Sequence, residues 1–144
     1  MLSSRELSLF VNLCFRLLLY NFSKLSGYAF TPELTKKLVK DFPKNIIGMK
    51  DSTGNLWENF KSKNFSMFVG SEKKLLNGLK TGAAGCISAT TNVTGIIAKK
   101  VFDDFYKDGK SADDEKLKAI RTVFDDTGNL VSALHTLKSI ENNL

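Results

Sequence analysis

The chain has 144 residues, 42% of them hydrophobic and 25% charged, which suits a globular chain with a packed core and excludes a disordered one. A balance of 21 Lys and Arg against 15 Asp and Glu leaves a formal charge of +6, compatible with an anionic small molecule and too modest and dispersed to indicate nucleic acid. Two cysteines, Cys14 and Cys86, show no C-x-x-C or histidine-rich spacing, so no disulfide framework, metal or cofactor is expected, and a reducing cytoplasm fits.

Residues 7–20 (LSLFVNLCFRLLLY) are apolar enough to resemble a leader or an anchor. The run is too short to span a bilayer and carries Asn12 and Arg16 inside it, so no membrane partner is expected. Residues 1–15 read as a divergent, helical N-terminal segment. Arg16–Tyr20 then reads as a strand and 21–27 as a loop with a glycine at its end. Thr31-Pro32 marks a helix start, because proline at the first helical position lacks only an N–H that would be unpaired anyway. Leu34, Leu38 and Phe42 recur at four-residue steps and predict one buried stripe on that helix.

Ile46–Lys50 reads as a second strand, followed by a turn over 51–55 and a short helix through Trp57 and Phe60. Met67–Val69 makes a third strand. Gly70-Ser71 leads into a helix that turns Leu75, Leu76 and Leu79 inward, with Ser71 as its N-cap. The small-residue turn Gly82–Gly85 enters a fourth strand, Cys86–Ser88. After Thr90-Thr91-Asn92 comes a longer helix with Ile97, Val101 and Phe105 on one face. Two helices end the chain: one opens with Ser111 capping toward Asp114 and buries Leu117, Ile120 and Phe124, and the other carries Leu130, Leu134 and Leu137.

Strands alternating with helices imply an α/β fold of parallel units whose helices cover the sheet. Length favours an open doubly wound domain, since an eight-unit barrel needs roughly 250 residues. In either architecture functional side chains gather at the strand ends, where Tyr20, Lys50, Gly70 and Ser88 fall. A lysine closing an apolar strand has part of its stem desolvated, and burial disfavours the ammonium and frees the amine as a carbonyl nucleophile. Alternatively, Lys50 reaches solvent or pairs with Asp51.

Four pieces match one family in order: Y-N-x-x-x-x-S-G at 20–27, G-x-K-D-S at 48–52, a strand-end glycine in Val69-Gly70-Ser71, and G-A-x-G-x-I-S-x-x-x-N at 82–92. The set resembles the pyruvate-dependent Schiff-base enzymes of the dihydrodipicolinate synthase and N-acetylneuraminate lyase family, which includes the 2-keto-3-deoxygluconate aldolases. The resemblance covers about 17–137. It implies the C-terminal half of a (β/α)8 TIM barrel plus C-terminal helices, with barrel units five to eight over 16–110 and the helices over 111–144.

It further implies that Lys50 attacks the ketone of pyruvate or a 2-keto acid to form an imine, and that Tyr20 carries protons as general acid and base. The backbone of Gly85 and Ile87 would line the pyruvate end, and Gly70 and Ser88 would also bind substrate. Ser52 and Thr53 would hydrogen-bond the distal substrate, or else cap the next helix. Synthase members usually carry arginine five residues after the tyrosine, where this chain has Leu25, so a 2-keto-3-deoxy sugar acid or sialic acid is favoured as substrate over that of the synthase. Ser23 stands where a proline is usual.

The early Gly-Thr-Thr-Gly-Glu-like segment of the family is not found, so a lone chain is expected to expose sheet edges and to form a homo-oligomer or join a complementary half-barrel. Two other readings compete: a noncatalytic fragment that acts as an association module, and a flavodoxin-like domain for phosphorylated ligands suggested by Ser71 and Gly82–Gly85. His135 reads as a packing residue. The acidic residues between Asp103 and Glu115 read as a solvated face, lacking calcium-loop spacing.

Overall fold

The structure, a computed structural model, describes residues 15–53, 56–128 and 132–136. Apart from Phe15, the N-terminal segment expected over 1–15 lies outside the described residues, as do Leu130 and Leu137 of the last expected helix, whose residues 132–136 are helical. In chain order the elements are β1 (Leu17–Asn21), α1 (Ser23–Ser26), α2 (Pro32–Asp41), β2 (Ile46–Asp51), α3 (Leu56–Asn59) and β3 (Ser66–Val69). A 3-10 turn (Glu72–Lys74) then precedes α4 (Leu75–Thr81), β4 (Gly85–Cys86), α5 (Thr91–Asp108) and α6 (Asp114–Asp126).

Local chemistry explains several boundaries. Pro32 takes the first turn of α2, and Thr31 Oγ1 accepts a hydrogen bond from the Leu34 N–H at 3.2 Å, satisfying a donor the helix leaves free. The loop expected over 21–27 contains α1, closed by Gly27 at φ 70° with its N–H donating to Ser23 O. Ser71 does not cap with its side chain, because the chain enters α4 through the tighter 3-10 turn. Ser111 accepts from the Asp113 N–H and donates to Asp104 rather than reaching Asp114. The fourth strand is Gly85–Cys86 instead of Cys86–Ser88, since its pairing ends where β3 ends, Val69 opposite Cys86.

The strands form one sheet in the order β1-β2-β3-β4, every pair parallel. Alternation then sorts the side chains. Met49, Asp51, Met67 and Val69 are buried on one face, whereas on the other Leu18 and Tyr20 are 46% and 43% exposed and Lys50 and Phe68 half-buried. The helices therefore cover a single face. Behind it Met49, Met67 and Val69 pack against Leu56, Trp57 and Phe60, and a second cluster centred on Leu75, Leu79, Val101 and Leu117 ties α4, α5 and α6 together.

An open doubly wound sheet carries helices on both faces, while a barrel carries them only outside. One-sided cover makes this half of a β/α barrel and overturns the flavodoxin-like alternative. The expected stripe on α2 is only half-buried at Leu34, Leu38 and Phe42, and Thr35 is its buried residue, its hydroxyl donating to Thr31 O at 2.8 Å. Ile120 is likewise half-buried, and Asp114 in the acidic stretch is buried beside Lys118.

Candidate active site

Lys50 is the penultimate residue of β2, on the uncovered face, and the register sets it directly beside Tyr20 of β1. Its Nζ stands over the Tyr20 ring, 4.1 Å from the centroid. Phe22 stacks on that ring at 5.8 Å and 29°. A cavity of about 230 Å³ opens at these strand ends, and its wall includes Tyr20, Lys50, Ser52, Gly70, Ser88 and Arg121.

Two close approaches explain glycines near it. A Cβ on Gly48 would lie 2.3 Å from Ser66 O of the adjacent strand, and one on Gly70 would lie 2.2 Å from Ser52 Oγ and 2.9 Å from Asp51 O. Gly70 thus lets the end of β3 close onto the end of β2, which brings Ser52 into the cavity wall.

Asp51 does not neutralise its neighbour. One residue along a strand is the opposite face, and there the Asp51 carboxylate is buried. Its Oδ1 accepts from Asn21 Nδ2 at 3.0 Å, from the Thr53 N–H at 3.0 Å and from the Thr53 hydroxyl at 2.6 Å. Its Oδ2 accepts from the Leu56 and Trp57 N–H groups at 2.9 and 3.2 Å, satisfying the first turn of α3. No carboxylate among the described residues forms an ion pair with Lys50.

The remaining expected residues divide. Ser52, Gly70 and Ser88 share the cavity with Lys50 and Tyr20. Thr53 instead lines a separate cavity of about 530 Å³ between α2 and α3, its hydroxyl already given to Asp51. Gly85 lines a third, of about 300 Å³, with Phe68 and Phe102, and Ile87 is 36% exposed outside the lining of the Lys50 cavity.

A buried pair at the cavity wall was not legible in the sequence. Glu72, fully buried just beyond the β3 end, faces Arg121 of α6, with Nη1 donating to Oε2 at 2.8 Å. Burial alone would raise the Glu72 pKa, but hydrogen bonds from Thr90, its own backbone, Ser88 and Arg121 outweigh it and hold the carboxyl below its ordinary value. Burial likewise works against the Arg121 charge, and its bonds to Asp125 and Glu72 prevail and push its pKa up. Burial, reinforced by the Glu72 charge, pushes the neighbouring Cys86 thiol up to about 12, so it is an inert packing residue rather than a nucleophile. The one sequence sign was an acidic residue two places after a strand-end glycine; its partner lies 49 residues on, beyond any local spacing.

Among the described residues no group of His, Cys, Asp and Glu is placed to hold a metal, no helix is long and apolar enough to cross a membrane, and His135 is exposed.

The sequence profile of the dihydrodipicolinate synthetase family matches residues 14–137. The 4-hydroxy-tetrahydrodipicolinate synthase of Buchnera aphidicola subsp. Cinara cedri is 32% identical over 116 residues, covering 74% of this chain and 38% of that protein. A candidate dihydrodipicolinate synthase of Thermus thermophilus superposes with a TM-score of 0.75 at 22% identity, over 92% of this chain and 49% of the other. The 2-keto 3-deoxygluconate aldolase of Picrophilus torridus does so with a TM-score of 0.62 at 21% identity, over 83% of this chain and 44% of the other. At such identities the two structures speak for the fold, a partial barrel. The chain spans 38% of the length of the first curated relatives it matches.

Proposed function

Because the chain belongs to the dihydrodipicolinate synthetase family, we propose that Lys50 is the nucleophile of a lysine-dependent aldolase or lyase acting on pyruvate or a longer 2-keto acid. The Lys50 amine adds to the ketone carbon, and loss of water leaves a protonated imine. That cation draws electrons from the bond between the third and fourth carbons. The bond breaks, the fourth carbon departs as an aldehyde once its hydroxyl proton is taken, and an enamine remains. Protonation of the enamine and hydrolysis of the imine release pyruvate and restore the amine. Tyr20 takes and returns the hydroxyl proton as general base and acid.

The observation that supports this most is the Lys50 nitrogen lying 4.1 Å from the centroid of the Tyr20 ring at the mouth of one cavity. Ser52, Gly70 and Ser88 would contact substrate there, while Thr53, Gly85 and Ile87 would need to act from outside its present lining. Leu25 is 75% exposed and offers no charge to a second carboxylate, which favours a 2-keto-3-deoxy sugar acid or sialic acid. The identity to a 4-hydroxy-tetrahydrodipicolinate synthase supports that reaction as the second reading. The working form would be a homo-oligomer or a complex with a complementary half-barrel, in the cytoplasm.

Borohydride reduction in the presence of pyruvate tests the nucleophile. The peptide carrying Lys50 should gain the mass of a reduced pyruvyl adduct, and Lys50→Met should gain none. A wild-type chain that stays unlabelled, alone and after mixing with a complementary half-barrel, would overturn the reading.

A further inference from the structure

Arg121 sits on α6, outside the strand-helix units, yet its guanidinium forms part of the Lys50 cavity wall with the side chain 12% exposed. Nη1 has two protons: one goes to Glu72 Oε2 at 2.8 Å and the other is shared between Ser88 Oγ at 3.0 Å and Thr90 Oγ1 at 3.1 Å, while Nε donates to Asp125 Oδ1 at 2.8 Å. Ser88 Oγ in turn donates to Glu72 Oε2 at 2.8 Å. A serine hydroxyl has one proton and two lone pairs. The proton of Ser88 is committed to Glu72 and one lone pair to Arg121, so a single lone pair remains for anything in the cavity. Thr90 Oγ1 lies 2.9 Å from Ser88 Oγ, and with its own proton given to Glu72 Oε1 the two hydroxyl oxygens meet as joint acceptors of the Arg121 proton.

We propose that Arg121 is a positioning residue for this cavity: it holds Ser88 as a hydrogen-bond acceptor, which selects 2-keto acids that carry a hydroxyl over those that do not. A substrate hydroxyl donates to the free lone pair, whereas a methylene in its place leaves that lone pair unmet and an ether or carboxylate oxygen meets it with a second lone pair. Glu72 sets the direction. As a carboxylate it can only accept, so it fixes the Ser88 proton away from the substrate. The proposal rests on Lys50 forming an imine with 2-keto acids, and it assigns the preference to a helix that carries no reacting group.

The test is competitive borohydride labelling of Lys50 in the full chain by 2-keto-3-deoxygluconate and by 2-ketobutyrate, which lacks hydroxyls. The wild type should favour the hydroxylated acid. Arg121→Gln and Ser88→Ala should each lower that ratio by about fivefold, the weight of one hydrogen bond, and the double variant should fall no further than Ser88→Ala. Ser88→Ala keeps the buried ion pair intact and carries the test if Arg121→Gln does not fold. A role confined to holding α6 in place would lower both labels together and leave the ratio unmoved in both variants, which overturns the proposal while the imine stands. Absence of any label on wild-type Lys50 overturns the imine reading and this one with it.

Discussion

Glu72 is fully buried and still ionised because four partners meet its two oxygens. Its folded pKa lies below the ordinary 4.5, so as the pH falls the unfolded chain takes up the proton first. The stability this carboxylate contributes is complete above the ordinary value and is lost as the pH drops through the folded one. Asp125, held down by Lys73 and Arg121 against its own partial burial, adds in the same direction. Thermal unfolding followed across pH should therefore show Tm falling as the pH drops below the ordinary carboxylate values. Glu72→Gln should flatten that fall, and at neutral pH should cost about 1–3 kcal/mol, since Arg121 keeps Asp125 but loses its charged partner in the buried cluster. A Tm profile unchanged by the substitution would remove the pair from the stability of the fold.

Among the elements, β2 is the most constrained. It pairs on both sides, and its residue 48 must be glycine because Ser66 O of β3 occupies the place of a side chain. That contact is with backbone, which cannot rotate away. Gly48→Ala is expected to cost about 1–3 kcal/mol through displaced strands, measured by urea unfolding, and to lower Lys50 labelling by shifting its strand. Thr31→Ala at the start of α2 removes one capping bond and should cost about 1 kcal/mol without affecting labelling. Equal labelling losses in the two variants would show that the site responds to stability alone and not to β2 geometry.

For the whole molecule, the uncovered sheet face matters most. All-parallel sheets are stable when both faces are covered, and here Phe15, Leu17 and Leu18 at the β1 edge are 61%, 42% and 46% exposed. Burying such a patch is favourable at roughly 25 cal/mol per Å², so the chain alone should associate. Sedimentation over a concentration series should give a mass above 16.0 kDa that rises with concentration, and Leu18→Glu should shift the distribution toward monomer. A wild-type chain that remains monomeric throughout would mean that the exposed face needs no partner.

Much of this was legible residue by residue. The alternation of apolar strand and amphipathic helix foretold four parallel units, and the strand ends pointed to Tyr20 and Lys50, because periodicity, caps and turn glycines act over a handful of neighbours. Period two even implies that Lys50 and Asp51 part company, although their adjacency in sequence suggests a pair. The chain's own letters could not tell which face the helices would take, that Thr53 and Gly85 would open onto other cavities, or that Arg121 would reach Glu72 across 49 residues. Those outcomes depend on how α4, α5 and α6 pack together behind the sheet. Contacts between distant segments are chosen by the shape and burial of the assembled core, and no short stretch of sequence contains that information.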